Sequence, residues 1–366
     1  MKKLLLILFF LAYFSVLLNA NFFYINAKEY SDPLKPPFEI NQQEVIEKTP
    51  LEVYSGQIYH IFFHSLILDP NMAFKSSMRE GYNNWMTTRS EFKKILDKLY
   101  QNNFILIDIN SLIDANGSKK ELLLPKDKKP LIISIDDVNY YDYMKGCGFA
   151  DRLITLKNGS IACVKKTKSG EIIDTEGDVM PIVDKFVESH PDFSFKGAKG
   201  IVAVTGFQGV FGYRLFDAKG NIIEKDMVKA KQVANALKLN GWQIACHSYS
   251  HSNKFKNGSI SVQNFTNDLK KWKTYIEPIT GKTNIYIPPF GTHFLPSDRR
   301  MKVLKENGFN IFCPVSKNML ISYQNNMLIS ERLKFDGFTM IKYPQRIKKH
   351  FFNPVSIIDP QRPKMK

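Results

Sequence analysis

The chain has 366 residues, of which 44% are hydrophobic, 13% aromatic and 23% charged, and these fractions exclude a disordered or collagen-like protein. Its 51 Lys+Arg outweigh 35 Asp+Glu, a formal charge of +16 that favours anionic partners. Cys147, Cys163, Cys246 and Cys313 form no Cys-x-x-Cys, which removes a zinc ribbon or a thioredoxin-type redox centre.

Lys2 and Lys3 precede an apolar run over residues 4–18, the pattern of an export signal. Residues 1–27 are therefore expected to be a signal peptide, with Ala20 and Ala27 as cleavage positions, or a membrane anchor. Either places the protein outside the cell or on its surface. There the positive charge suits anionic wall polymers or a membrane surface before nucleic acid. Residues 28–55, with Pro33, Pro36, Pro37 and Pro50, read as a stalk.

Beyond the stalk, β-like and helical patterns alternate. Residues 57–67 read as a strand, and Thr88-x-x-Glu91 as a capping box opening a helix with Phe92, Ile95, Leu96 and Leu99 on one face. Strands are predicted at 104–109, 131–135, 200–205, 242–246, 283–287 and 309–313. Helical spacing recurs at Ala230, Val233, Ala234 and Leu237, at Val262, Phe265, Leu269, Trp272 and Ile276, and near 301–306. Short apolar strands between amphipathic helices imply an α/β fold with a parallel sheet, open or closed into a barrel, over residues 56–345. Residues 151–178 break the rhythm with turns at Asn158-Gly159 and Ser169-Gly170, and read as a β-hairpin insertion outside the barrel. The basic, proline-punctuated tail, residues 346–366, is expected to pack loosely.

Three features lie just past predicted strands, where α/β folds collect catalytic groups. Asp136-Asp137 follows the apolar strand 131–135, and two adjacent carboxylates there need a cation or a proton. His247-Ser248-Tyr249-Ser250-His251 follows the strand 242–246, and on a helix its two imidazoles would share a face and bind one metal. Two His and one Asp leave an open coordination position, which is a catalytic arrangement and not a closed structural one. The third, Ile287-Pro288-Pro289-Phe290-Gly291, by itself says only turn.

In this order the three features resemble the polysaccharide deacetylases, the NodB-homology or carbohydrate esterase family 4 group. Ser134-Ile135-Asp136-Asp137-Val138 stands where that family has Thr/Ser-Phe-Asp-Asp-Gly. His247 to His251 matches its His-Ser/Thr-x-x-His in full, and Ile287 to Gly291 its Arg-Pro-Pro-Tyr-Gly with two changes. The family's closing Leu-x-His strand is missing near the C-terminus. A permuted subgroup carries that strand first, and Ile61-Phe62-Phe63-His64-Ser65 is similar to it, with Tyr59-His60 as a second candidate.

The resemblance implies a distorted (β/α) barrel and removal of acetyl groups from an N-acetylated cell-wall or extracellular polysaccharide. It implies that Asp137, His247 and His251 hold zinc or another divalent metal. Asp136 would be the general base, His64 the general acid, and the Phe290 N–H a donor to the oxyanion. Ile287 replaces the arginine that orients the base, and Arg214, in Gly212-Tyr213-Arg214 after the strand 200–205, is the expected substitute. Val138 in place of glycine is expected to narrow the loop beside the metal. A non-catalytic glycan-binding relative and a membrane-anchored wall-assembly protein are the alternatives, and the oligomeric state stays open.

Overall fold

The computed structural model describes residues 50–365. The expected signal or anchor segment and nearly all of the expected stalk lie outside them.

The described chain opens with β1 (Leu51–Val53), β2 (Tyr59–Phe63), α1 (Pro70–Ala73), α2 (Arg79–Trp85), α3 (Arg89–Gln101), β3 (Phe104–Leu106), β4 (Leu123–Pro125) and β5 (Lys129–Ile135). It continues through β6 (Arg152–Thr155), β7 (Ile161–Thr167), β8 (Gly170–Asp174), α4 (Val179–Ser189), β9 (Gly200–Val204), α5 (Glu224–Leu239) and β10 (Trp242–Cys246). Next come α6 (Val262–Tyr275), α7 (Glu277–Thr280), β11 (Ile285–Tyr286), α8 (Arg299–Glu306) and β12 (Ile311–Phe312). The end is β13 (Ile321–Gln324), β14 (Met327–Ser330), β15 (Leu333–Lys334), α9 (Gly337–Lys342) and α10 (Pro344–Lys348).

The main sheet has the order β13-β14-β12-β11-β10-β9-β5-β2-β15, with β3 also beside β5. Every pair is parallel except β13–β14. β14 and β15 are two parts of one extended stretch, yet β15 ends the strand order and β14 lies next to its other end, inside β13. The Arg332 N–H between them donates to Pro314 O at 2.9 Å, and Phe335 N–H to Phe62 O at 3.0 Å, so residues three positions apart bond the two sides of the sheet. The sheet thus curls back on itself into a distorted barrel.

Two faces follow from the period of two along each strand. Leu131, Ile133 and Ile135 of β5 face outward onto Phe92 and Leu96 of α3, while Ile132 meets Ile201, Ala203 and Ala245 inside the barrel. Burial on both sides explains why β5 is apolar without alternation. The capping box of α3 forms as expected, with Thr88 Oγ1 accepting from Glu91 N–H and Glu91 Oε2 from Thr88 N–H.

Three expectations change. Residues 51–53, placed in the stalk, already pair antiparallel with β4. The insertion forms its own antiparallel sheet, β6-β7-β8, but Leu153, Ile161 and Cys163 join the main core, so it is packed rather than projecting. The tail is not loose: Phe351 and Ile357 are buried and Arg362 forms an ion pair with Glu91. Its basic, proline-marked composition hid two apolar anchors and one charge that has a buried partner.

Candidate active site

The strand ends of β2, β5, β10 and β11 converge at one mouth of the barrel. Asp136 and Asp137 leave β5, the second motif leaves β10, and the third leaves β11. The second motif is not helical. Its two imidazoles meet because Ser248 (φ +64°) and His251 (φ +45°) take left-handed conformations. The carboxylate of Asp268, on α6, fixes that turn by accepting from Tyr249 N–H (2.7 Å) and Ser250 N–H (2.9 Å). Asp137 (φ +58°) and Phe290 (φ +57°) are left-handed as well. Non-glycine residues held there store roughly 1–3 kcal/mol of strain each, and such residues cluster at functional sites.

Ligating atoms of Asp137, His247 and His251 all lie within 4.8 Å of one another. Asp137 Oδ1 is 3.8 Å from His247 Nε2 and 3.6 Å from His251 Nε2. His247 Nδ1 sits 2.7 Å from Ile287 O, which keeps its proton on Nδ1 and turns the bare Nε2 toward Asp137. Two imidazole nitrogens and a carboxylate oxygen, converging and with an outer position open, fit a divalent ion. Burial pushes the Asp137 carboxyl up, but the His251, His247 and His64 charges and the Tyr141 hydroxyl outweigh it and bring the pKa to about 2. Tyr141 donates to Asp137 Oδ1 at 2.6 Å and lies 3.1 Å from Thr205 Oγ1. Burial lowers the His247 pKa despite the nearby Asp136 and Asp137, so the imidazole stays neutral and able to ligate.

Asp136 is buried beside this group. Arg332 grips it with both nitrogens, Nη1 to Oδ1 at 2.7 Å and Nη2 to Oδ2 at 3.0 Å. The same guanidinium donates to Ser134 Oγ and Cys313 O, and its carbon stands 4.3 Å from the centre of the Phe62 ring. Burial opposes ionisation of Asp136, yet Arg332, with help from His247 and His64, keeps its carboxyl below the usual range. Arg332 therefore stands where Arg214 was expected. Arg214 instead donates to Tyr140 O, Gln208 O and the Asp142 carboxylate, and makes no bond to Asp136.

His64 follows β2, half-buried, near enough to both carboxyls for its charge to help hold them low. His60 shares its parity but does not reach the mouth. It is fully buried in the barrel, 2.8 Å from Ser330 Oγ and 3.1 Å from Ser134 Oγ. Phe290 places its ring 4.6 Å from that of His251. The glycine after it is required, because a Cβ at Gly291 (φ +65°) would stand 2.4 Å from the Val315 side chain. Val138 points into the outer core and does not narrow the mouth. Arg332, Asp268 and Tyr141 were missed in the sequence. None of the three stands out in its own stretch of sequence: Arg332 follows Ser330 and Glu331 just past the short apolar run Met327–Ile329.

Residues 216–312 match the family model described as polysaccharide deacetylase. No curated protein matches the chain. Solved structures similar to it include a Bacillus anthracis protein described as a candidate polysaccharide deacetylase, at 14% identity and TM-score 0.47, covering 83% of this chain and 69% of that one. A Streptococcus pyogenes deacetylase in complex with acetate matches at 14% identity and TM-score 0.46, over 83% and 99%. A de-N-acetylase from Aggregatibacter actinomycetemcomitans matches at 14% and 0.45, over 76% and 95%. The family whose model matches is the one the motifs resemble, the polysaccharide deacetylases.

Proposed function

We propose that the chain is a metal-dependent hydrolase that removes acetyl groups from an N-acetylated cell-wall or extracellular polysaccharide. The observation that carries this reading is the Asp137/His247/His251 group lying beside the Asp136–Arg332 pair at one barrel mouth. A metal held by the three ligands, zinc in this proposal, would polarise the acetyl carbonyl and acidify a water. Asp136, kept ionised and oriented by Arg332, takes the proton of the attacking water. His64, at the mouth beside both carboxyls and half-open to solvent, gives a proton to the leaving amine. The backbone N–H of Phe290 faces the developing oxyanion.

β2 lies in the sheet beside β15, from the C-terminal part of the chain. That pairing supports a permuted arrangement, in which the strand carrying the acid comes first. Export through the N-terminal apolar run and attraction of the basic chain to anionic wall polymers or a membrane surface complete the proposal.

The test is acetate release from acetylated wall fragments by the zinc-loaded protein, followed by mass spectrometry. His64→Ala should keep its zinc and lose about 10²–10⁴ in rate. Zinc bound without acetate release from any fragment would turn the reading toward a glycan-binding relative.

A further inference from the structure

We propose that Tyr141, Tyr143 and Phe207 form a sugar-binding ledge beside the metal group, where the apolar face of a neighbouring pyranose of the glycan chain rests. This rests on the deacetylase reading and adds to it the part of the surface that would make a chain, rather than a single sugar, the ligand.

The ledge begins at the site itself. Tyr141 ends in the hydroxyl that touches Asp137, and its ring centre is 5.6 Å from that of Tyr143, at 27°, and 5.7 Å from that of Phe207. Tyr141 is buried, but Tyr143 and Phe207 remain 44% and 48% exposed. Exposed aromatic side chains grouped within a polar rim mark a binding surface.

The two loops that carry these rings are tied together by hydrogen bonds within the chain. Asp142 N–H donates to Gln208 Oε1 at 2.8 Å, and Asn139 Oδ1 accepts from Thr205 N–H at 3.1 Å. Arg214 spans the same gap, with Nη1 2.5 Å from Gln208 O and Nη2 2.9 Å from both Tyr140 O and an Asp142 oxygen. Loops locked in this way lose little further entropy when a ligand settles on them, which favours affinity. This also gives Arg214 a place in the molecule: it positions the ledge.

The chemistry of the ledge selects the occupant. Ring surface lies beside Gln208, the Asp142 carboxylate and Lys145, which is paired with Asp142. An apolar platform with a hydrogen-bonding rim matches a pyranose, with C–H groups on its face and hydroxyls around its edge. A lipid tail would leave the rim unused.

Binding can be measured apart from turnover. In an Asp136→Asn background, which blocks acetyl release, a pentamer of β-linked N-acetylglucosamine is titrated calorimetrically against the zinc-loaded protein. Tyr143→Ala and Phe207→Ala should each weaken the pentamer about tenfold, while N-acetylglucosamine itself changes much less. Phe207→Leu, which keeps bulk but loses the flat ring, should fall between, and zinc stoichiometry and melting temperature should hold in all three. Unchanged pentamer affinity in both alanine variants, or equal losses for monomer and pentamer, would overturn the ledge. So would concentration-dependent self-association abolished by Phe207→Ala, which would assign the surface to a second copy of the chain. Pentamer binding that depends on the ledge, with no acetate released by the chain that keeps Asp136, would leave the ledge standing and remove the deacetylase reading alone.

Discussion

Asp136 has only 4% of its surface exposed, and a lone carboxylate so placed would take up a proton rather than stay charged. Arg332, itself fully buried, supplies the opposite charge and both hydrogen bonds. Arg332→Leu should therefore raise the Asp136 pKa, moving the acid limb of the kcat/KM profile to higher pH, with a rate loss of about 10² or more. Arg332→Lys should recover part of the rate, because an ammonium restores charge but not the two-pronged geometry. An unmoved acid limb in Arg332→Leu would show that Asp136 does not depend on this partner. Tyr141 acts one bond further from the metal group. Its hydroxyl fixes the Asp137 carboxylate, so Tyr141→Phe should weaken zinc binding about 10–100-fold in a chelator competition, with the fold intact.

At the scale of elements, the legible parts of the chain were those with local patterns. β5, β9 and β10 are buried on both faces and so read as short apolar runs, and α3 announces itself by its capping box. The ligand set was legible because each member follows such a strand directly. What was not legible depends on partners far apart in the chain. Arg332 reaches Asp136 across 196 positions, and Asp268 holds a turn 18 and 19 positions before it. The left-handed turn at Ser248 and His251 also left no mark, because neither residue type demands it. His60 shows the same limit: strand parity put it on the inner face but could not say how deep it lies. It joins β2 to Ser134 of β5 and to Ser330 of β14, and burial, with the Arg332 charge, holds its pKa well below the ordinary value. The unfolded chain therefore binds a proton at this position below about pH 6.5 that the folded chain refuses, and stability rises with pH through that window. His247 is shifted the same way and adds to the slope. The urea midpoint of the metal-free protein should fall between about pH 7 and pH 5, and His60→Gln should flatten part of that fall.

On the scale of the whole molecule, the barrel is closed by one stretch, residues 327–335, and the chain after it returns across the outside to α2 and α3. Arg362 anchors this return. Its Nε and Nη2 bond the two oxygens of Glu91, and its remaining donors reach Asn83 O, Asn83 Oδ1 and Met86 O. Glu91 is at the same time the second half of the α3 capping box and accepts from Asp359 N–H. One carboxylate thus starts the helix that covers β2 and β5 and holds the C-terminal segment against it, and neither it nor Arg362 has more than 1% of its side chain exposed. Removing the cation leaves that carboxylate buried without its partner, which costs about 3–5 kcal/mol. Arg362→Ala should therefore lower the stability of the chain by about that much in urea unfolding, and a chain ending at Tyr343, which also gives up the buried Ile347, Phe351 and Ile357, should lose more. Lys302→Ala, which breaks the exposed pair with Glu306, should leave the midpoint where it is. The His64 end of β2 packs beneath α3 through the contact of Phe63 with Phe92, their ring centres 4.9 Å apart. Loosening α3 should then lower turnover before the barrel unfolds, with zinc still bound by ligands that come from β5 and β10. Loss of zinc in step with loss of turnover in Arg362→Ala would instead mean that the C-terminal segment supports the whole barrel mouth rather than the β2 side of it.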